Sequence, residues 1–161
     1  LVPALPGLDR VRDRAGTWFE SPAPLPLTDA CGPGGRPREV TIDVPEGTQS
    51  IRLLLAATRR APAGRILGHV EWTTGSRPGR LELRYGVHIA GADDPTACTE
   101  ATAAHEGRSL AGSALILRSL RVETGGARRL VLRAVDPAAA PALYGVACLN
   151  PPHSGKNLGK H

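Results

Sequence analysis

Apolar and polar residues alternate along much of the chain from residue 38 onward. This pattern is typical of β-strands that bury one face. In the segment REVTIDVP, Val40, Ile42 and Val44 share one face. The following segment, SIRLLLAATRR, is apolar on both faces, with Leu53 on one side and Leu54 on the other. We therefore expect this second strand to be covered on both sides of its sheet.

Two further alternating segments, GRILGHVEWTTG and RLELRYGVHIA, are separated by the turn sequence SRPG at 76–79. Pairing through that turn places Glu71 opposite Arg84 and His69 diagonal to His88. The polar sides of both strands then form one continuous patch. Its four members, His69, Glu71, Arg84 and His88, are the first candidate for a binding surface.

The remaining segments supply the other predicted elements. RSLRVETGGARRLVLRAVDP predicts a hairpin across a turn at 123–126, and ALYGVACL predicts a short last strand. Residues 16–27 predict an early edge strand, where prolines are tolerated because an edge lacks some ladder hydrogen bonds. Residues 91–112 show no sustained alternation and are predicted to form a long loop.

Many short strands joined by turns, without a long amphipathic helix, predict an all-β fold: a two-sheet β-sandwich of the jelly-roll type. We expect an N-terminal extension at 1–15, the sandwich domain at 16–150 and a flexible C-terminal tail at 151–161. Aromatic residues make up only 3% of the chain and Met is absent. The core must therefore consist mainly of aliphatic side chains.

The formal net charge is +5, and the only lysines are Lys156 and Lys160. The many arginines are spread over the predicted strands and interrupted by glutamates such as Glu39 and Glu82. Since nucleic-acid-binding surfaces concentrate their basic residues, we expect no nucleic-acid partner. No apolar run approaches the roughly 18 residues that cross a bilayer, so we expect no membrane insertion.

Cys31, Cys98 and Cys148 match no zinc-binding spacing and allow three single-bridge pairings. Cys31 and Cys98 fall in loop sequences, where a disulfide would fix mobile segments, whereas Cys148 lies in an apolar run and is expected to be buried. One disulfide in a secreted or cell-surface protein is therefore our expectation. The pairing and the oligomeric state stay open.

No motif of nucleophilic or metal-dependent catalysis is present, so the chain is not expected to be an enzyme. Glu71 and Glu82 are interpreted as part of a charge-balanced surface rather than as the carboxylate pair of a glycosidase. No cofactor is expected, apart from a candidate structural Ca²⁺. Its candidate ligands are three oxygen donors within one predicted loop, Asp93, Asp94 and Glu100.

Two segments resemble a known family. Residues 117–149, LRSLRVETGGARRLVLRAVDPAAAPALYGVACL, look like the closing strands of galactose-binding-like jelly rolls, which include many carbohydrate-binding modules. Residues 38–55, REVTIDVPEGTQSIRLLL, are similar to a strand pair of those modules. The resemblance implies an accessory module of a secreted enzyme or surface protein that binds glycan, sometimes with a structural Ca²⁺. ALYGVACL also resembles the final strand of tumour-necrosis-factor-like jelly rolls.

These observations together predict a non-catalytic binding module that recognises glycan. The predicted site is a loop-built end of the sandwich or the polar patch around His69 and Glu71. Trp18 is the candidate stacking platform, because sugars pack their apolar faces on flat exposed rings. The alternative is a protein-interaction or structural domain that assembles through sheet edges or outer apolar positions such as Leu54.

Overall fold

A computed structural model describes residues 10–20, 25–27, 38–108, 112, 114–136 and 138–149. Within these residues the regular structure consists of β-strands alone. The strands are β1 (Arg10–Arg12), β2 (Trp18–Glu20), β3 (Leu25–Pro26), β4 (Glu39–Asp43), β5 (Ser50–Ala57), β6 (Ile66–Thr74), β7 (Arg77–Arg84), β8 (Ala101–Arg108), β9 (Ala114–Glu123), β10 (Arg129–Ala134) and β11 (Pro141–Leu149). Among the described residues, no helix is long and apolar enough to cross a membrane.

Two antiparallel sheets form the sandwich. One has the order β4-β10-β6-β7 and the other the order β3-β11-β5-β9-β8. Most successive strands lie in different sheets, and only the β6–β7 and β8–β9 connections join neighbours of these two sheets. This is the strand arrangement of a jelly roll, with β8 added at one edge. The predicted fold class is therefore confirmed.

The apolar alternation identified the core correctly. Val44, Leu53, Leu83 and Leu132 are buried between the two sheets together with Tyr85, and Trp72 packs against them partly buried. Burying an aliphatic side chain of this size contributes about 1.5–3 kcal/mol, so these rows supply the main driving force for folding.

The predicted hairpin at 118–137 is wrong. Its two strands exist, but β9 pairs with β5 and β8, whereas β10 pairs with β4 and β6 in the opposite sheet. The connection crosses from one sheet to the other through Gly125 (φ 62°) and Gly126 (φ 91°), which take positive φ values that favour glycine. Gln49 O accepts the backbone N–H of Thr124 (3.0 Å) and fixes this crossing.

The loop predicted for residues 91–112 contains a strand. β8, Ala101–Arg108, pairs with β9 along the edge of the five-stranded sheet. Its register shifts between Ala103 and His105. An edge strand with small side chains and a register shift shows no clear alternation, which explains why the sequence pattern missed it.

The β6–β7 pairing differs in register from the prediction. The strands turn through Gly75 (φ 61°) and Ser76, so that Thr74 pairs with Arg77. Pro78, taken from the sequence as a turn residue, lies inside β7. Proline is tolerated there because β7 is an edge strand with a single neighbour.

A second core covers the outer face of the five-stranded sheet. Phe19 of β2 is fully buried with Leu54, Leu115 and Leu117, and Tyr144 packs in the same cluster. The prediction that β5 is covered on both faces is therefore confirmed. Leu54, suggested above as an outer position for assembly, is 0% exposed and is not available to a partner.

Asp13 connects the β1–β2 hairpin to this sheet. Its buried carboxylate accepts the N–H groups of Ala15 (2.9 Å) and Thr17 (2.8 Å) and the hydroxyl of Ser119 (2.8 Å). Arg52 Nη1 lies 3.5 Å from the same carboxylate. Residues 10–15, which the sequence places in an N-terminal extension, thus pack on the sandwich. Residues 1–9 and the predicted tail at 151–161 lie outside the described residues.

Candidate functional site

The outer face of the four-stranded sheet is covered by polar side chains, and we call it the polar face. Cross-strand partners point to the same side of a sheet, so the register defines its rows. The rows are Glu39, Arg133, His69 and Glu82; Thr41, Val131, Glu71 and Arg80; and the flanking pairs Asp43–Arg129 and Thr73–Pro78.

A chain of ion pairs and hydrogen bonds crosses the polar face. Arg133 Nη2 lies 2.9 Å from Glu39 Oε1, and Arg133 Nη1 lies 3.3 Å from Glu71 Oε1. His69 Nε2 lies 2.9 Å from the same Glu71 oxygen, and Arg80 Nη2 lies 3.3 Å from His69 Nδ1. These contacts hold several planar polar groups in defined orientations before any ligand arrives.

His69 is 5% exposed, and both of its ring nitrogens are used. Because a guanidinium has donors and no acceptor, His69 Nδ1 must accept from Arg80. The Nε2–H then donates to the Glu71 carboxylate. His69 thus orients Glu71 and is not a group open to solvent.

An open groove of about 450 Å³ lies where the polar face meets the β6–β7 turn and the β9–β10 connection. We refer to it as the groove. Its polar and charged lining residues are Glu71, Thr73, Thr74, Arg128, Arg129 and Arg133, and Trp72, Pro78, Gly79 and Val131 also line it. Glu71 and Arg133 belong to both the groove and the ion-paired chain, so the two features form one continuous surface.

Trp72 is the aromatic residue of the groove. Its ring is partly buried against the main core and lies across Gly79 of the neighbouring strand, where an added Cβ would come within 2.2 Å of the indole. Real Cβ atoms do not approach that closely, so glycine is required at this position for the ring to lie there. The indole thus packs on Gly79 and the core while it also lines the groove.

No family model, curated protein or solved structure matches this chain. The resemblance to galactose-binding-like jelly rolls therefore stays a prediction. Function has to be inferred from the polar face and the groove themselves.

Of the predicted site residues, the structure brings His69 and Glu71 together, as described. Arg84 lies at the other end of β7 from the groove, where its Nη2 is 3.2 Å from Glu82 Oε1. Glu71 is opposite Arg80 instead of Arg84, and His69 is opposite Glu82. The predicted cross-strand pairs are therefore wrong, because the turn occurs earlier in the chain than its sequence suggested.

His88 does not belong to the polar face. β7 ends at Arg84, and a turn follows in which His88 N donates to Arg84 O (3.0 Å). The His88 ring accepts the Arg84 N–H at Nδ1 (3.1 Å), and burial lowers the pKa of His88. These contacts indicate a structural role in ending the strand.

Trp18 lies in β2 on the outside of the other sheet. Its side chain is outside the described part of the structure, so its role as a stacking platform stays a prediction. Trp72 is the aromatic residue that lines the groove, and it was not among the predicted site residues. The alternation placed Trp72 on the apolar face of its strand, and this is confirmed, since Trp72 lies opposite the core residue Leu130 and packs against the core partly buried.

The three candidate Ca²⁺ ligands differ in their surroundings. Asp93 is exposed and lies 3.4 Å from Arg60, and Glu100 is exposed. Asp94 is buried and accepts the Tyr85 hydroxyl (2.6 Å). Across the described residues, no group of three or more His, Cys, Asp or Glu side chains could hold a metal ion. The calcium prediction therefore gains no support.

Cys98 and Cys148 are free thiols, half-buried and exposed respectively, and Cys31 lies outside the described residues. Burial raises the pKa of both described thiols. The expectation that Cys148 is a buried apolar residue is wrong. It lies near the end of β11, beyond the short stretch that β3 covers. The predicted disulfide is not formed between these two cysteines.

Proposed function

We propose that the protein is a non-catalytic binding module that recognises glycan in the groove and on the adjoining polar face. The observation that carries this proposal is the continuous row of fixed planar groups, Arg133, Glu71 and His69, that reaches a groove lined by an indole.

The chemistry of the lining suits a sugar. Sugar hydroxyls both donate and accept hydrogen bonds, and the groove offers the Glu71 carboxylate as an acceptor, guanidinium donors and the hydroxyls of Thr73 and Thr74. The C–H faces of a pyranose need an apolar partner, which Trp72 and Pro78 can supply. Glu71 is already oriented by Arg133 and His69, so little side-chain entropy would be lost on binding.

The size and shape of the groove also fit this ligand class. About 450 Å³ lies within the range of roughly 300–1,000 Å³ that is usual for small-molecule sites. The groove is open to solvent and shares Glu71 and Arg133 with the polar face, which allows a saccharide to extend onto that face. A buried pocket would restrict the ligand to a single small molecule.

Isothermal titration against a panel of neutral and acidic oligosaccharides at millimolar concentration tests the proposal. We expect one class to bind and Glu71→Gln to weaken that binding by about fivefold or more, because a charge-assisted hydrogen bond is lost. Glu106→Gln is the matched control, since Glu106 is exposed on β8 in the opposite sheet and should leave the affinity unchanged.

Thermal unfolding of both variants, followed by circular dichroism, checks that the sandwich remains folded. Absence of binding across the whole panel, with folded protein, would contradict the proposal. Equal affinities for the wild type and Glu71→Gln would show that any binding occurs elsewhere on the surface.

A further inference from the structure

The groove has an excess of positive charge. Arg128, Arg129 and Arg133 line it, and Glu71 is the acidic residue among its lining. Arg133 is engaged by both Glu39 and Glu71, so its charge is largely compensated within the polar face. The least compensated positive charge in the groove lies on Arg128 and Arg129, since the only carboxylate near them among the described ion pairs is the exposed Asp43 beside Arg129.

These two arginines are open to an incoming ligand. Arg129 has a side chain that is 70% exposed, and its contact with Asp43 spans 3.5 Å between two water-exposed groups. Exposed ion pairs of this kind typically contribute less than about 1 kcal/mol. Arg129 can therefore readily exchange Asp43 for the anionic group of a ligand. Arg128 is exposed and forms no ion pair within the described part of the chain.

The backbone that carries them is nevertheless well fixed. Arg128 O accepts the Val44 N–H (2.8 Å), Ala127 is 2% exposed, and Ala127 N donates to Thr124 O (3.2 Å). Arg129 then begins β10 at a defined register, opposite Asp43. Two guanidinium groups thus extend from anchored positions beside Trp72, and guanidinium groups bind carboxylate and sulfate oxygens through paired hydrogen bonds.

We propose that the glycan bound in the groove carries an oxyanion, a carboxylate or a sulfate, and that Arg128 and Arg129 bind it. This inference rests on the proposed function, since it names the class of glycan for the same site. The sugar ring would lie against Trp72 and Glu71, and its anionic group would point toward the β9–β10 connection.

The test compares matched ligands by isothermal titration. A tetrasaccharide of uronic acid, its carboxyl-reduced neutral counterpart and a sulfated tetrasaccharide differ mainly in the anionic group. We expect at least one acidic ligand to bind about fivefold or more tightly than the neutral one. This preference should shrink between about 0.01 M and about 1 M salt, where the Debye length falls from about 30 Å to about 3 Å.

Variants then test which residues bind the anionic group of the glycan. Arg128→Gln and Arg129→Gln should each weaken binding of the acidic ligand by a larger factor than binding of the neutral ligand, so that the preference for the acidic ligand shrinks. Arg59→Gln is the matched control, because Arg59 is exposed in the β5–β6 connection, away from the groove. It should change neither affinity.

The outcomes separate the two proposals. Equal binding of neutral and acidic tetrasaccharides, insensitive to salt and to both variants, would overturn this inference and leave glycan binding intact. No binding of any saccharide would overturn the proposed function itself. Equally tight binding of polyglutamate of the same charge would overturn the assignment of the anion to a sugar.

Discussion

The carboxylate of Asp94 holds the loop after β7 in place, and its replacement should reveal how much stability one buried charge contributes. Asp94 Oδ2 accepts the Tyr85 hydroxyl (2.6 Å), and Oδ1 accepts the Thr96 N–H (3.0 Å). The hydrogen bond from Tyr85 lowers the pKa of Asp94 from 3.8 to about 2. Burial, together with this hydrogen bond, raises the pKa of Tyr85 to about 12.

The magnitude follows from the linkage between protonation and folding. A carboxyl whose pKa falls from 3.8 to about 2 on folding contributes about 2 kcal/mol of stability at neutral pH. Because the folded-state pKa is the lower one, this contribution is fully present above about pH 5 and is lost as the pH falls toward 2. Roughly half of it is lost by pH 3.

We therefore expect Asp94→Asn to lower the free energy of unfolding by about 2 kcal/mol at pH 7 and by about half as much at pH 3. Urea unfolding followed by circular dichroism at a series of pH values measures the difference. Asp93→Asn is the control, since Asp93 is exposed beside Arg60 and should cost less than about 1 kcal/mol at any pH. A wild-type advantage over Asp94→Asn that does not change between pH 7 and pH 3 would refute the reasoning.

Three further predictions concern packing and the thiols. Phe19→Ala should lower the free energy of unfolding by about 3 kcal/mol or more, because Phe19 fills the second core. Leu25→Ala, at a site 37% exposed, should lower it by less than about 1 kcal/mol. Urea unfolding measures both variants, and equal losses of stability would contradict a second core. Gly79→Ala should displace the Trp72 indole and lower the free energy of unfolding by about 1–3 kcal/mol. Tryptophan fluorescence emission should shift to longer wavelength, and an unchanged spectrum would argue against the observed packing. Because burial raises its pKa, Cys98 should react with iodoacetamide at pH 8 more slowly in the native protein than in urea. Peptide mass spectrometry measures both rates, and equal rates would show that the thiol is open.

Periodicity along the chain was sufficient to find the strands that bury a face. Val40, Ile42 and Val44 alternate with polar residues, and the structure places all three toward the core. Such a pattern reports which side of a strand is apolar, because side chains point alternately to the two faces. It does not report which strand lies alongside, so neither sheet membership nor register follows from the alternation.

The wrong hairpin illustrates this limit, and the sequence contained a signal against it. Pairing across a turn at 123–126 would put Arg121 opposite Arg128 and Leu120 opposite Arg129. The first pair sets like charges against each other, and the second mixes an apolar and a charged residue on one face. In the structure Leu120 instead lies opposite Leu53, inside the core, and Arg129 lies opposite Asp43 on the polar face.

The site was predictable only in part. His69 and Glu71 sit two residues apart on one strand, so their common polar face followed from the local pattern alone. Arg80 and Arg133, which complete the ion-paired chain, come from two other strands and depend on the register. Pro78 obscured that register, because proline and glycine together resemble a turn even inside an edge strand.

The arginines of the groove depend on the same sheet crossing that the hairpin prediction missed. Because β10 crosses to the sheet of β6, Leu130 pairs with Trp72, and the residues just before Leu130 must lie beside the β6–β7 turn. Arg128 and Arg129 are those residues, and the groove is the space between them and the turn. A hairpin with β9 would have left both of them beside strands of the other sheet, far from the indole. Arginines that appear scattered along the sequence can therefore converge, and where they converge is decided by strand order rather than by spacing in the chain.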